Sequence, residues 1–123
     1  MATILIVDDE FLIRSLAEFL VQELGHETMT ADDTVGALEH LDSSKKIDAL
    51  ITDIRFRANK NGGFELAQLA IRLRPELRVL YTTGSSVTDE MRTMFVDGAH
   101  FMQKPYTPSQ LRNVMEKLLA AIP

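Results

Sequence analysis

Five side chains with complementary chemistry stand at the ends of short apolar runs. Asp8 and Asp9 follow Thr3-Ile4-Leu5-Ile6-Val7, and Asp53 follows Asp48-Ala49-Leu50-Ile51-Thr52. Thr83 closes Arg78-Val79-Leu80-Tyr81-Thr82, and Lys104 follows His100-Phe101-Met102-Gln103. If those runs lie side by side, three carboxylates, a hydroxyl and an ammonium share one rim. Carboxylates in close contact raise one another's pKa, and a shared proton or a hard cation resolves the conflict. Oxygen-only donors with open coordination positions suit Mg²⁺, which takes a few carboxylates and keeps several waters. Such an ion, an ammonium, a hydroxyl and a free carboxylate oxygen are together suited to meet a phosphoryl group. Each residue also has a plainer use. An Asp pair after a strand can cap the next helix, a single Asp can end a strand in a turn, and a Lys before Pro can be a solvated charge. Their common location is what points to a site.

The elements that must position these residues alternate between two periodicities. Thr3 to Val7 is a β-branched run of strand length. Ile13, Leu16, Ala17, Leu20 and Leu24 then recur at helical spacing, with Gly25 as the stop. Glu27 to Thr30 is a weaker second strand, and Asp32 or Asp33 can cap a short helix carrying Val35, Leu38 and Leu41. The third strand ends at Asp53. A polar loop from Arg55 to Gly63 leads into a helix with Leu66, Ala67, Ala70 and Leu73, ended by Pro75. Arg78 to Thr83 is the fourth strand, closed by Gly84. A short helix over Thr88 to Val96 and a fifth strand over His100 to Gln103 follow. In the last helix Thr107 sits at the cap, Pro108 at the first helical position and Gln110 three residues after the cap. Its stripe is Leu111, Val114, Met115, Leu118, Leu119 and Ile122. Five strand–helix repeats predict an α/β, flavodoxin-like, doubly wound parallel sheet with strand order 2-1-3-4-5 and five helices. In that order the first and third strands are neighbours at the switch point, where ligands bind beyond the carboxyl ends.

The 123 residues suit one domain, taken as 1–123, with no linker or second domain apparent. The absence of cysteine excludes a disulfide framework and a thiolate metal site, and His26, His40 and His100 lack ligand spacing. Zinc is therefore not expected. A net charge of −5 argues against a surface for direct nucleic-acid contact. No apolar run is long enough to span a bilayer and no signal peptide is visible, so a cytoplasmic, membrane-free protein is expected. The six methionines read as core filler and carry no cofactor.

Ile6-Val7-Asp8-Asp9-Glu10, Leu50-Ile51-Thr52-Asp53, Tyr81-Thr82-Thr83-Gly84 and Gly98-Ala99-His100-Phe101-Met102-Gln103-Lys104-Pro105-Tyr106 resemble, in order and spacing, the motifs of the CheY-like receiver domain of two-component response regulators. The likeness runs from about Thr3 to Ile122. It implies that Asp53 is the phosphoacceptor, charged from a phosphohistidine of a sensor kinase or histidine phosphotransfer protein. It also implies that Asp9 ligates Mg²⁺ directly and Asp8 through water. Asp53 and the backbone carbonyl of Arg55 would complete the set, with Lys104 paired to a phosphoryl oxygen. The Lys104–Pro105 bond is expected to be cis. Thr83 and Phe101 map onto the family's switch residues, Thr83 being preferred over Thr82 because it abuts Gly84, which leaves the pocket open. The surface of the fourth helix, fifth strand and fifth helix would then change its affinity for a downstream protein or domain.

The sequence departs from the family pattern behind Asp53. The fourth residue on is Arg57 where the family has Pro, and Gly63-Phe64-Glu65-Leu66 aligns only with two residues inserted. The loop Arg55-Phe56-Arg57-Ala58-Asn59-Lys60-Asn61 is longer and more basic than the pattern. It is either a solvated loop of altered length, or a place where Arg55 and Arg57 or Lys60 influence access of water or of an acidic partner.

Competing functions separate on single residues. A dehalogenase-like phosphohydrolase using Asp53 as nucleophile would need a second Asp two positions on, where Arg55 stands, so its general acid is missing. A dinucleotide or flavin module would need a glycine-rich turn where Asp8-Asp9 stand. A receiver that only docks, without accepting phosphate, is the remaining alternative. The expectation is a signalling domain, not an enzyme, whose only chemistry is its own phosphotransfer and dephosphorylation.

Overall fold

The computed structural model describes residues 1–120, and Ile122 of the expected last stripe lies outside them. Five strands are present: β1 (Thr3–Val7), β2 (Glu27–Ala31), β3 (Ala49–Asp53), β4 (Arg78–Thr83) and β5 (His100–Gln103). They form one parallel sheet in the order β2-β1-β3-β4-β5. The intervening helices are α1 (Phe11–Glu23), α2 (Thr34–Leu41), α3 (Gly62–Leu73), α4 (Asp89–Arg92) and α5 (Pro108–Leu119). The expected flavodoxin-like architecture is what the chain adopts.

Strand alternation sorts the core into two sides. Ile4, Ile6, Ala49, Ile51, Leu80 and Met102 pack with Ala17 and Val21 of α1 and Leu111, Met115 and Leu118 of α5. Leu5, Val7 and Leu50 point the other way, onto Ala37 and Leu41 of α2 and Leu66 and Ala70 of α3. A third cluster continues that second side toward β5, with Ile54, Phe64, Ala67, Val79, Tyr81 and Val96. Each fully buried Leu or Ile contributes roughly 1.5–3 kcal/mol relative to exposure, so β1 and β3, apolar on both faces, anchor the sheet. Of the methionines, Met102 and Met115 are buried in this core, whereas Met1 is exposed.

The helix starts follow their caps. Asp33 accepts from the Gly36 N–H at the head of α2. Thr107 and Gln110 form the reciprocal capping box of α5, with Pro108 behind it. After α1 the chain turns at Gly25, whose φ of 92° suits a residue without Cβ.

Two expectations need correction. Helical spacing groups Leu16, Val35 and Leu73 with the apolar residues of their helices, yet they are 56%, 66% and 46% exposed. The buried faces are narrower, centred on Ala17 and Val21 in α1 and on Ala37 and Leu41 in α2. Small Ala residues let these helices sit close to the sheet, which leaves bulkier flanking side chains outside. The helix expected over Thr88 to Val96 is regular only from Asp89 to Arg92. Beyond it the Met94 and Phe95 amides bond three residues back, and the Val96 N–H is taken by the Tyr81 hydroxyl at 3.2 Å. A tertiary partner thus replaces the next helical bond.

α3 starts against the end of β3. The Gly63 N–H bonds the Ile54 carbonyl at 2.9 Å, and a Cβ at Gly63 would stand 2.0 Å from the Asp53 carbonyl oxygen and 2.8 Å from the Ile54 Cα. Both obstacles are backbone, so they cannot rotate away. Gly63→Ala is expected to cost about 3 kcal/mol, the upper part of the ordinary range for overpacking, read as a lowered urea midpoint with unchanged slope.

Candidate functional site

The sheet parity that builds the core also aims the site. Asp8 continues the alternation of Ile4 and Ile6, Asp53 that of Ala49 and Ile51, and Lys104 that of Met102. All three leave their strands on the side covered by α1 and α5. Asp8 and Asp53 are 4% and 6% exposed. One carboxylate oxygen from each of Asp8, Asp9 and Asp53 lies within 4.8 Å of the others. Lys104 Nζ stands 3.4 Å from Asp8 Oδ2 and 3.3 Å from Asp53 Oδ2, bridging the two buried acids. The Lys104–Pro105 peptide is cis, as expected, and the Lys104 N–H bonds the Thr83 carbonyl at 2.7 Å.

Asp8 does not cap α1, whose N-cap is Glu10 without a side-chain cap bond, but it shapes the turn that leads into that helix and also faces the site. Its Oδ1 accepts from the Glu10 N–H at 2.9 Å, the turn that opens α1, while its Oδ2 faces Lys104. Arg14 reaches back to donate to the Asp8 carbonyl at 2.8 Å. Asp9, half-buried, accepts at Oδ2 from the Arg57 N–H at 2.7 Å.

Burial pushes the Asp53 carboxyl above the usual carboxylate range. The ammonium of Lys104 opposes this without cancelling it, the charge of Asp8 adds to the rise, and an N–H from Arg55 works against it. Burial alone would lower Lys104, but Asp53 and Asp8 together outweigh it and hold the ammonium above its ordinary value. Tyr106 is raised by its burial and by the charge of Asp8. One ammonium thus compensates two buried carboxylates and leaves the rim short of positive charge.

That deficit suits a divalent cation, and the donor set fits one. All three side chains offer hard oxygen. Two oxygens bound directly to Mg²⁺ lie at most about 4.2 Å apart, so oxygens that all lie within 4.8 Å of one another are close enough to share one ion, directly or through a bound water.

Thr83 and Phe101 occupy the other side of the sheet. Thr83 is buried, and its hydroxyl lies 3.2 Å from the Ser85 hydroxyl and accepts from the Ser85 N–H. Its strand neighbour Thr82 is the residue paired with Asp53. Phe101, paired with Tyr81, is half-buried. Its ring packs 5.8 Å from Phe95, and the Arg92 guanidinium lies 4.7 Å over it. Phe95 in turn packs on Tyr81 and Phe64. So the structure gathers Asp8, Asp9, Asp53 and Lys104, and it keeps the Thr83 hydroxyl turned to Ser85. Sequence reasoning passed over Arg14, Arg57 as a backbone donor, Arg92 and Tyr106. Backbone donors leave no side-chain signature, and an Arg four residues into a helix resembles any solvated charge.

Comparison with known proteins agrees with this geometry. The profile described as the response regulator receiver domain matches residues 4–116. This chain belongs to the response regulator receiver domain family. A solved receiver protein from Sinorhizobium medicae is 29% identical, with a TM-score of 0.87, over 98% of this chain and 95% of that one. The Vibrio cholerae chemotaxis protein CheY4 is 25% identical, with a TM-score of 0.87, over 97% and 99%. The nitrogen assimilation regulatory protein NtrX of Azorhizobium caulinodans is 28% identical over 97% of this chain, which spans only 26% of that relative. Receiver domains are phosphoacceptors of two-component signalling and not classical enzymes. Among the described residues of this receiver, no helix is long and apolar enough to cross a membrane.

The raised carboxyl of Asp53 makes a pH prediction. A carboxyl raised by folding favours the folded state only while it is protonated. Its ionisation therefore costs stability as pH climbs from the ordinary carboxylate range through the raised value, and the full cost is present above that. Asp53→Asn is expected to be more stable than wild type at pH 7 in metal-free buffer. The gain should vanish below about pH 3.9, as read from urea midpoints across pH.

Proposed function

We propose that this receiver accepts a phosphoryl group on Asp53 from a phosphohistidine of a sensor kinase or histidine phosphotransfer protein, in a Mg²⁺-dependent reaction. The observation that carries the reading is the single ammonium of Lys104 set between the buried carboxylates of Asp8 and Asp53, with Asp9 beside them. Asp9 would hold the metal directly and Asp8 through water, with Asp53 and the Arg55 carbonyl completing the protein's share. When bound, the ion neutralises phosphoryl charge and keeps the group in line for attack. An Asp53 oxygen attacks phosphorus as the bond to the donor imidazole nitrogen breaks. The bonding pair returns to that nitrogen, and the product is an acyl phosphate. Lys104 meets a phosphoryl oxygen and so exchanges one negative partner for another without leaving its place. Arg55 stands where an aspartate-nucleophile phosphatase has its general acid, which disfavours rapid turnover. Such donors and free Mg²⁺ fit the cytoplasm.

The added group would draw the Thr83 hydroxyl from Ser85 and let Phe101 turn inward. The surface of α4, β5 and α5 would then present a changed face to a downstream protein or domain. Phosphorylation selects whichever arrangement bonds it better, so the response is a shift of populations. The Arg92 guanidinium over the Phe101 ring favours the half-buried arrangement that Phe101 has here.

Two outcomes test this reading. With acetyl phosphate and Mg²⁺, intact-mass measurement should show one phosphoryl group gained by wild type and none by Asp53→Asn. A gain that persists in Asp53→Asn would place the acceptor elsewhere. Arg92→Met should bind the phosphoryl mimic beryllofluoride about 2–5-fold more tightly, the equivalent of one exposed cation–π contact. Unchanged affinity would detach Arg92 from the switch.

A further inference from the structure

The inserted loop behind Asp53 is closed on itself. Phe56 and Asn59 exchange backbone bonds, each 3.0 Å, and the Gly62 N–H also bonds the Asn59 carbonyl at 3.0 Å. The Asn59 side chain accepts from the Asn61 N–H at 3.0 Å and donates to Glu65 on α3. This clasp fixes the backbone at Arg57, whose N–H reaches 48 residues back along the chain to Asp9 Oδ2 at 2.7 Å. An N–H bonded to an ionised carboxylate is charge-assisted and strong for its kind. A carboxylate offers about four lone-pair sites, so Arg57 uses one and leaves the others for a cation. Asp9 is the least buried of the three acids, and without that donor its side chain has the freedom to swing toward solvent.

We propose that this loop is a positioning device for the metal. The backbone N–H of Arg57, held by the Asn59 clasp, orients Asp9 and thereby sets the affinity of the site for Mg²⁺. Arg57 acts through its amide and not through its guanidinium. The inference rests on the reading of Asp8, Asp9 and Asp53 as a Mg²⁺ site. In this reading the insertion is an ordered support for a ligand, built from main chain. Hydrogen-bond partners of metal ligands typically set affinity by 10–100-fold.

The test titrates Mg²⁺ alone into the full chain, without phosphoryl donor. Heat of binding and backbone amide shifts give Kd, and urea unfolding of the metal-free proteins gives stability separately. Arg57→Pro removes the N–H, Asn59→Ala removes the side-chain bonds that tie the clasp to Asn61 and Glu65 while leaving its backbone bonds, and Arg57→Ala removes only the charged side chain. The first two should weaken Mg²⁺ binding about 10–100-fold. Arg57→Ala, which deletes a nearby positive charge but keeps the amide, should bind at least as tightly as wild type. Should Arg57→Pro fail to fold, Asn59→Ala decides. Wild-type affinity in a folded Arg57→Pro or in Asn59→Ala would overturn the proposal, as would an equal loss in Arg57→Ala. A wild-type protein that binds no Mg²⁺ would overturn the metal site itself, an outcome distinct from the others.

Discussion

Two carboxylates that have lost most of their water stand with one ammonium between them. Asp8 and Asp53 are nearly inaccessible, and Lys104 lies within 3.4 Å of both. Placing like charges together in a buried place is unfavourable unless something positive is fixed nearby. Here the compensation is incomplete, since one ammonium faces two buried carboxylates. The remaining negative charge calls for a cation, while the ammonium waits for an anionic group. Neither demand would survive at an exposed surface, where water and salt would screen it.

The fold creates this conflict through strand parity. Side chains of β1, β3 and β5 alternate across the sheet, so the positions just past Ile6, Ile51 and Met102 on one face become Asp8, Asp53 and Lys104. The other face carries the aromatic cluster of Phe64, Tyr81, Phe95 and Phe101. Thr83, at the end of β4, belongs with that second face. The two sides meet at the strand ends, where Thr83 and Lys104 share a backbone hydrogen bond.

Close approach matters as much as charge. Gly63 permits the head of α3 to press against the Asp53 carbonyl, which fixes the far end of the inserted loop. The near end starts at Asp53 itself. Held at both ends and clasped by Asn59, the loop delivers an amide to Asp9. A longer connection here is thus compatible with an ordered rim.

The strand order, the Thr107 cap and the gathering of Asp8, Asp9, Asp53 and Lys104 were legible in the sequence, and the cap of α2 was narrowed to Asp32 or Asp33. Each is carried by local signals: apolar period, cap chemistry and residues at strand ends; the cis Lys104–Pro105 bond came from the family resemblance. The exposure of Leu16 and Val35 was not legible, because a helical stripe tells which residues share a face but not how closely small Ala neighbours bring that face to the sheet. The early end of α4 was also hidden, since the Tyr81 hydroxyl that claims the Val96 amide comes from a distant strand. The same holds for the Arg57 amide at Asp9 and the Arg92 cation over Phe101. Sequence by itself determined which groups reach the rim, because periodicity and chain order are local properties. Tertiary structure alone decided which lone pair each group offers and which partner already occupies it, because hydrogen bonds between segments depend on where independent elements come to rest.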